Sequence, residues 1–365
     1  ARKACAWLVM LCPAVACSPS TSIAEDGQSK SASRSLNVYS DISKDEALAS
    51  SFSLVRGRTY LNKASSQWWK AKACVSCHTN GLHLLAESLL EPQSEAVKKS
   101  QQRFRQFLNE NIPAPGEDAP TAHLTSSLVA ATAFLAMSES RTDGELHADT
   151  RRALDHVWTL QSNEGHWPDW LKCDWPPYEV DDHFPVTLMA VTVGMAPTAY
   201  AQTPAAELGA RRIEHYLHAH PPENTHQRLM VMWASQYNKR LVSPVTMRQW
   251  NKEILKSQNA DGGWTTARLG CWERSDGKPQ DLESSDGYAT GFVIFVLRHT
   301  GTPSSDPRVQ RGISWLMKNQ RESGRWYTRS PHIDKRHYIS NAGTAFAMLA
   351  IDSCADSSGA NSEPE

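Results

Sequence analysis

The stretch Gln258-Asn259-Ala260-Asp261-Gly262-Gly263-Trp264 closes an apolar segment of helical period. It has two looser copies, Gln161-Ser-Asn-Glu164-Gly165-His-Trp167 and Gln320-Arg-Glu-Ser323-Gly324-Arg-Trp326. Each combines a glutamine near a helix end, a glycine free to take positive φ and a tryptophan able to pack back, which are the parts of a helix-terminating turn. The copies start at 161, 258 and 320, so the repeat is irregular, with room for one degenerate copy between the first two.

Around these turns, apolar residues recur at helical period over roughly 121–138, 148–162, 184–196, 205–219, 224–238, 244–257, 287–300, 306–320 and 341–353, separated by Gly, Pro and Asp-rich turns. No stretch alternates at period two for long, so the expected body is all-α. Upstream, Trp68-Trp69-Lys70-Ala71-Lys72, the run Leu82–Leu90 and a charged segment over 94–109 also read as helices.

The Q-x-x-[DES]-G-x-W turns resemble the QW motifs of the squalene-hopene cyclase and prenyltransferase group. That resemblance spans about 120–353 and implies an α/α toroid of inner and outer helices. More narrowly, Trp170 to His183, Asp286-Gly-Tyr288-Ala-Thr290-Gly291 and Ile339-Ser340-Asn341-Ala-Gly-Thr344-Ala345, taken with the motif described next, resemble exported bacterial cyclase-like proteins that carry a c-type haem motif.

That motif is Cys74-Val75-Ser76-Cys77-His78, a C-x-x-C-H run whose spacing lets two thiols attack the vinyl groups of a haem while the adjacent imidazole ligates the iron. A redox dithiol would need only the two cysteines, and a zinc site would need further ligands at matching spacing; no second C-x-x-C exists. One covalent haem c uses all three residues: Cys74 and Cys77 as thioethers, His78 as proximal ligand. Met137, Met189, Met195 and His123 are candidates for the sixth position, and Trp68-Trp69 either walls the haem edge or belongs to the core.

The cyclase resemblance also bears on Glu179-Val180-Asp181-Asp182-His183-Phe184. In squalene-hopene cyclases the middle aspartate of a D-x-D-D-T-A motif protonates an alkene; the resemblance would make Asp181 the donor flanked by Glu179 and Asp182, with Glu for the first Asp and His-Phe for Thr-Ala. Alternatively Asp181 or Asp182 is the N-cap of a helix starting near Phe184-Pro185. In a toroid the inner helix starts share one face, so Asp181, Asp182, His183, Asp286, Tyr288, Asn341 and His123 are expected along one pocket rim suited to acid–base work or to a polar ligand group. His215, His218, His220 and His226, around a Pro-Pro-Glu turn, read as a surface loop.

Arg2 and Lys3 before an apolar run, ending at Ala14-Val15-Ala16-Cys17, read as a signal peptide over 1–17, too short to span a bilayer. The small residues before Cys17 resemble a bacterial lipobox, which would make Cys17 a lipidated membrane tether. The expected organisation continues with a Ser-rich disordered tether over 18–53, a helical haem segment over 54–120, the toroid over 121–353 and a disordered tail over 354–365. Export to the periplasm or cell envelope suits c-type haem attachment, and leaves Cys173, Cys271 and Cys354 available for one disulfide.

With Lys+Arg 38 against Asp+Glu 39, no global field attracts nucleic acid. The expected function is haem-dependent redox work, as electron transfer to a redox partner or as oxidation of an apolar, isoprenoid-like ligand. The alternatives are a haem-independent terpene cyclase using Asp181 and a non-enzymatic toroid that binds a hydrophobic molecule or partner protein.

Overall fold

The computed structural model describes residues 42–114 and 120–355. The signal peptide, Cys17 and most of the tether and tail fall outside these residues. The described residues form α1 (Leu54–Lys72), α2 (Asn80–Leu90), α3 (Glu95–Asn111), α4 (Ala122–Thr142), α5 (Ala148–Thr159), α6 (His183–Met195), α7 (Thr198–Ala201), α8 (Pro204–Ala219), α9 (Thr225–Ala234), α10 (Pro244–Lys256), α11 (Gly287–His299), α12 (Pro307–Asn319) and α13 (Ile339–Ala355), with no β-strand among them. None of these helices is long and apolar enough to cross a membrane.

The helix starts follow local chemistry. Ser53, Ser94, Thr121, Thr203, Asn224, Ser243, Asp286 and Asp306 each accept a backbone N–H of the first turn with their side chain. Proline occupies the first turn of α8, α10 and α12, where its missing N–H costs nothing.

Six helices make a closed inner ring. α2 packs on α4, α4 on α6, α6 on α9, α9 on α11 and α11 on α13, and α13 returns to α2. The inner helices are apolar nearly all round: α11 buries every residue from Gly287 to Leu297 and α13 every residue from Ile339 to Ile351. The outer helices α1, α3, α5, α8, α10 and α12 each bury one stripe. This is the expected all-α toroid.

Its extent differs from the sequence-based partition. The segment 54–120 supplies outer helices α1 and α3 and inner helix α2, so the C-x-x-C-H turn is part of the ring wall. α2 buries Asn80 through Ser88 without a break, because it has inner neighbours on both sides. Buried Glu87 of α2 pairs with Arg58 of α1 at 2.9 Å, and buried Glu139 of α4 pairs with Arg105 of α3 at 2.6 Å, tying outer helices to inner ones.

The three Gln-to-Trp turns join one outer helix to the next. Nε2 of Gln161 donates to Gly165 O and to Gly209 O on α8; Nε2 of Gln258 donates to Gly262 O and to Arg308 O on α12. Gln320 Nε2 donates to Gly324 O and to Ser53 O at the start of α1, which closes the ring. Trp167, Trp264 and Trp326 are buried and donate Nε1 to Val157 O, Ile254 O and Leu316 O, the residue ten positions back each time. Gly165, Gly262 and Gly324 sit at φ +103, +96 and +97, and a Cβ on Gly165 or Gly324 would collide with the backbone oxygen of Arg212 or Arg56.

The last turn also orders chain expected to be tether. Ala49 N donates to Gln320 O, Glu322 N to Ala47 O, and the Glu46 carboxylate accepts from Ser323 N and the Arg325 guanidinium. Residues 42–53 are therefore laid along the third clasp.

Candidate functional site

The inner helices each follow an outer one, and hydrogen bonds between the starts of α6 and α9, of α9 and α11, and of α13 and α2 bring these starts to one end of the ring. The C-x-x-C-H turn bridges α1 and α2 at this rim. Ala73 takes a left-handed conformation at the end of α1, and Asn80, first residue of α2, clamps the turn with both ends of its amide: Oδ1 accepts from Ser76 N and Nδ2 donates to Cys74 O.

His78 is half-buried and held from several sides. Its Nδ1 lies 2.8 Å from Thr79 Oγ1, which accepts from Asn341 Nδ2 of α13 at 3.0 Å; Asn341 Oδ1 in turn accepts from Tyr60 OH at 2.8 Å. Trp68 meets the imidazole edge-on at 4.8 Å, Tyr338 stacks on its face at 5.3 Å, and Trp175 lies parallel to Tyr338 at 6.3 Å, followed by His332 at 4.7 Å.

Burial holds His78 down to about pKa 3, so the ring is neutral, the form that ligates metal. With the proton on Nδ1 and donated to Thr79, the lone pair stands on Nε2. Cys77 is buried, and burial with Glu179 nearby pushes its thiol well up. Two thiols and one oriented neutral imidazole on a single turn fit the donor set of a c-type haem. Among the described residues, no cluster of three or more His, Cys, Asp or Glu side chains is arranged to hold a metal ion.

The acidic stretch lies across the rim. Asp182 takes the N-cap position of α6, but its carboxylate pairs with Lys172 at 2.7 Å; Asp181 performs the local bond, accepting His183 N at 2.9 Å. Its other oxygen accepts from Gln227 Nε2 at 2.9 Å, and burial raises its pKa. Glu179, also raised by burial, accepts from Cys173 Sγ at 3.2 Å.

Neither ring nitrogen of buried His183 has a hydrogen-bond partner, and burial lowers it to about pKa 4. His226 Nε2 meets Tyr288 OH at 2.8 Å and is lowered to about 3 by burial. Asp181, His183, Phe184, His226, Gln227 and Trp272 line a tight crevice with essentially no free volume, about 0 Å³.

Asp286 serves a different end. Its carboxylate accepts from Thr266 N and Oγ1, both at 2.6 Å, from Ala289 N at 3.0 Å and from Thr328 Oγ1 at 3.3 Å, while burial pushes it to about pKa 6. Four donors anchor it as a latch under α11. His123 is exposed on the first turn of α4.

The expected rim is thus brought together at Asp181, His183 and Tyr288 on one side, and at His78 with Asn341 on the other. The sixth-ligand candidates do not join it: Met137 and Met189 are packed inside α4 and α6, and Met195 is the last residue of α6, roughly 18 Å from its rim end. Among the described residues, Cys271 and Cys354 of the expected set form no disulfide. The histidine group disperses: His218 bonds Arg240 O, His220 stacks on Tyr216, and His226 is core rather than surface loop.

Thr79, Trp175, His226 and Gln227 were not singled out as rim residues. For His226 a signal existed, since it opens the apolar run Leu229–Ala234 at helical spacing.

Comparison with known proteins supports the scaffold. Residues 225–352 match the squalene-hopene cyclase C-terminal domain. A solved glycosidase superposes with TM-score 0.51 at 11% identity, covering 83% of this chain and 98% of that one. A possible member of the GH105 family from Salmonella enterica superposes at 0.50 with 9% identity, covering 83% of this chain and 94% of that one. The type II terpene cyclase MstE from Scytonema gives 0.46 at 10% identity, covering 82% and 98%. No curated protein matches the sequence. The chain is an all-α toroid of cyclase-like build, and because that fold is shared with a glycosidase, its chemistry has to be argued from the site.

Proposed function

We propose that this chain carries one covalent c-type haem on Cys74, Cys77 and His78, outside the cytoplasm, and works as an electron-transfer protein. The observation that carries the reading is the hydrogen-bond chain Tyr60–Asn341–Thr79–His78, which spends three side chains from α1, α13 and the rim turn on fixing one imidazole. Metal-ligating histidines are oriented by such a partner on the second nitrogen, which sets the tautomer and raises ligand basicity. When bound, the haem supplies a reversible one-electron couple at iron. The chain's part is to hold His78 Nε2 free, to wall the imidazole with Trp68 and Tyr338, and to present half-exposed Tyr338 and Trp175 where a redox partner docks.

Electron transfer is favoured over oxidation of an isoprenoid because of space. The rim crevice has essentially no free volume, about 0 Å³, against the roughly 300–1,000 Å³ of ordinary small-molecule sites. The same crevice argues against Asp181 as proton donor to a folded polyene, and its bonds to His183 N and Gln227 account for it as a helix-start residue. The Arg2-Lys3 leader and Cys17 support delivery to the periplasm or cell envelope with a lipid tether.

The test is the absorption spectrum of full-length protein made with c-type maturation machinery. One haem per chain, retained through acid-acetone extraction and lost from covalent linkage in Cys77→Ala, is the expected result. A folded, helical wild-type protein with no covalent haem overturns the proposal.

A further inference from the structure

On the outer surface, far in character from the rim, α10 and the start of α12 enclose a concave groove of about 390 Å³ lined by Arg248, Asn251, Lys252, Leu255, Lys256 and Arg308. Arg248, Lys252 and Lys256 are spaced four apart and share one stripe of α10, and Arg308 faces them from the first turn of α12. All four are exposed, and among the described residues none pairs with a carboxylate, although neighbouring Arg228 does, with Glu253. Like charges at this spacing repel and weaken the helix, so a solvated face would ordinarily interleave acids, as Glu253 does one stripe away.

The cations are also held in register. The second Gln-to-Trp clasp sits at this junction: Gln258 Nε2 donates to Arg308 O at 2.7 Å and Gln258 Oε1 accepts from Arg311 at 2.6 Å, fixing α12 against α10. A pre-arranged concave set of four unpaired cations, on a chain of formal charge -1, has its counter-charge missing from the protein itself.

We infer that the α10–α12 groove binds a ligand bearing two or more phosphate groups, with Arg248, Lys252, Lys256 and Arg308 as its partners. Arginine and lysine supply the planar and point-charge contacts that phosphate oxygens take. Two sources share this chemistry, a soluble polyphosphorylated molecule and a cluster of anionic lipid headgroups.

Full-length protein is titrated with sodium tripolyphosphate by calorimetry and, separately, with phosphatidylglycerol vesicles by co-sedimentation, phosphatidylcholine vesicles serving as control. The variants are Lys252→Gln/Lys256→Gln and, as a remote exposed charge, Lys239→Gln. Saturable tripolyphosphate binding that weakens on the order of tenfold in the double variant, but not in Lys239→Gln, supports the inference with a soluble ligand. Binding confined to phosphatidylglycerol with the same variant dependence supports it with a headgroup. Binding to neither probe, or binding that the folded double variant retains at wild-type strength, overturns it.

Discussion

Replacing Gln320 with Ala is expected to loosen the ring at its closing contact. Gln320 makes three hydrogen bonds: Nε2 to Ser53 O at 2.9 Å and to Gly324 O at 3.0 Å, and Ser53 N to Oε1 at 2.8 Å. At about 1 kcal/mol net each they contribute roughly 3 kcal/mol, and the partners left without water raise the cost to about 3–5 kcal/mol. Gln258 also makes three bonds, to Gly262 O, Arg308 O and from Arg311, but it is half-buried, so water replaces what is lost and the same change should cost about 1–2 kcal/mol. Bond number is equal in the two sites, and the charged Arg311 partner favours Gln258, so a larger loss at Gln320 has to come from its burial. Urea denaturation followed by helical circular dichroism reads the difference, and a body of this size should lose on the order of 6 °C in Tm for 4 kcal/mol. Equal destabilisation of the two variants would refute the argument that water access decides the strength of a clasp.

Three further outcomes follow from other sites. Gly165→Ala should destabilise by more than about 3 kcal/mol, since positive φ and the Arg212 carbonyl oppose a Cβ together, whereas Gly144→Ala, at φ +71 with nothing near its Cβ, should cost about 1 kcal/mol by the same denaturation assay. Arg58→Ala leaves the fully buried Glu87 carboxyl without its partner, at a cost of about 3 kcal/mol that Arg58→Lys should partly restore. Asp286 has a folded-state pKa of about 6 against 3.8, so the native chain holds the proton in that window and stability is lost as pH rises through about 6. The loss from this group is on the order of 3 kcal/mol. Denaturation at pH 4.5, 5.5 and 7 should show a shallower decline in Asp286→Asn, and an unchanged slope would count against the assignment.

Helical period and turn chemistry are local, so the positions of most helices were legible: the expected segments over 244–257, 287–300 and 306–320 coincide with α10, α11 and α12 within two residues. What local pattern cannot express is which helix returns to which. The run Leu82–Leu90 is equally apolar whether it cradles a cofactor as an appendage or stands between α4 and α13, and the attraction of Cys74 to His78 favoured the first. Thr79, beside that motif, has no signature of its own; its role exists because Asn341, 262 positions away, reaches it. Asp181 and His183 line one crevice because both stand at the start of α6, and Tyr288 reaches it through its bond to His226. His123 is exposed on the first turn of α4, apart from that crevice.

The return of α13 to α2 also sets an order of events during synthesis. The side of α2 that α13 covers stays open from the making of Leu90 until Ile339 arrives, roughly 250 residues later, which at about 5–20 residues per second is on the order of ten to fifty seconds. For that interval part of the apolar surface of α2 lacks its final cover. The first wall of this protein is the last to become dry.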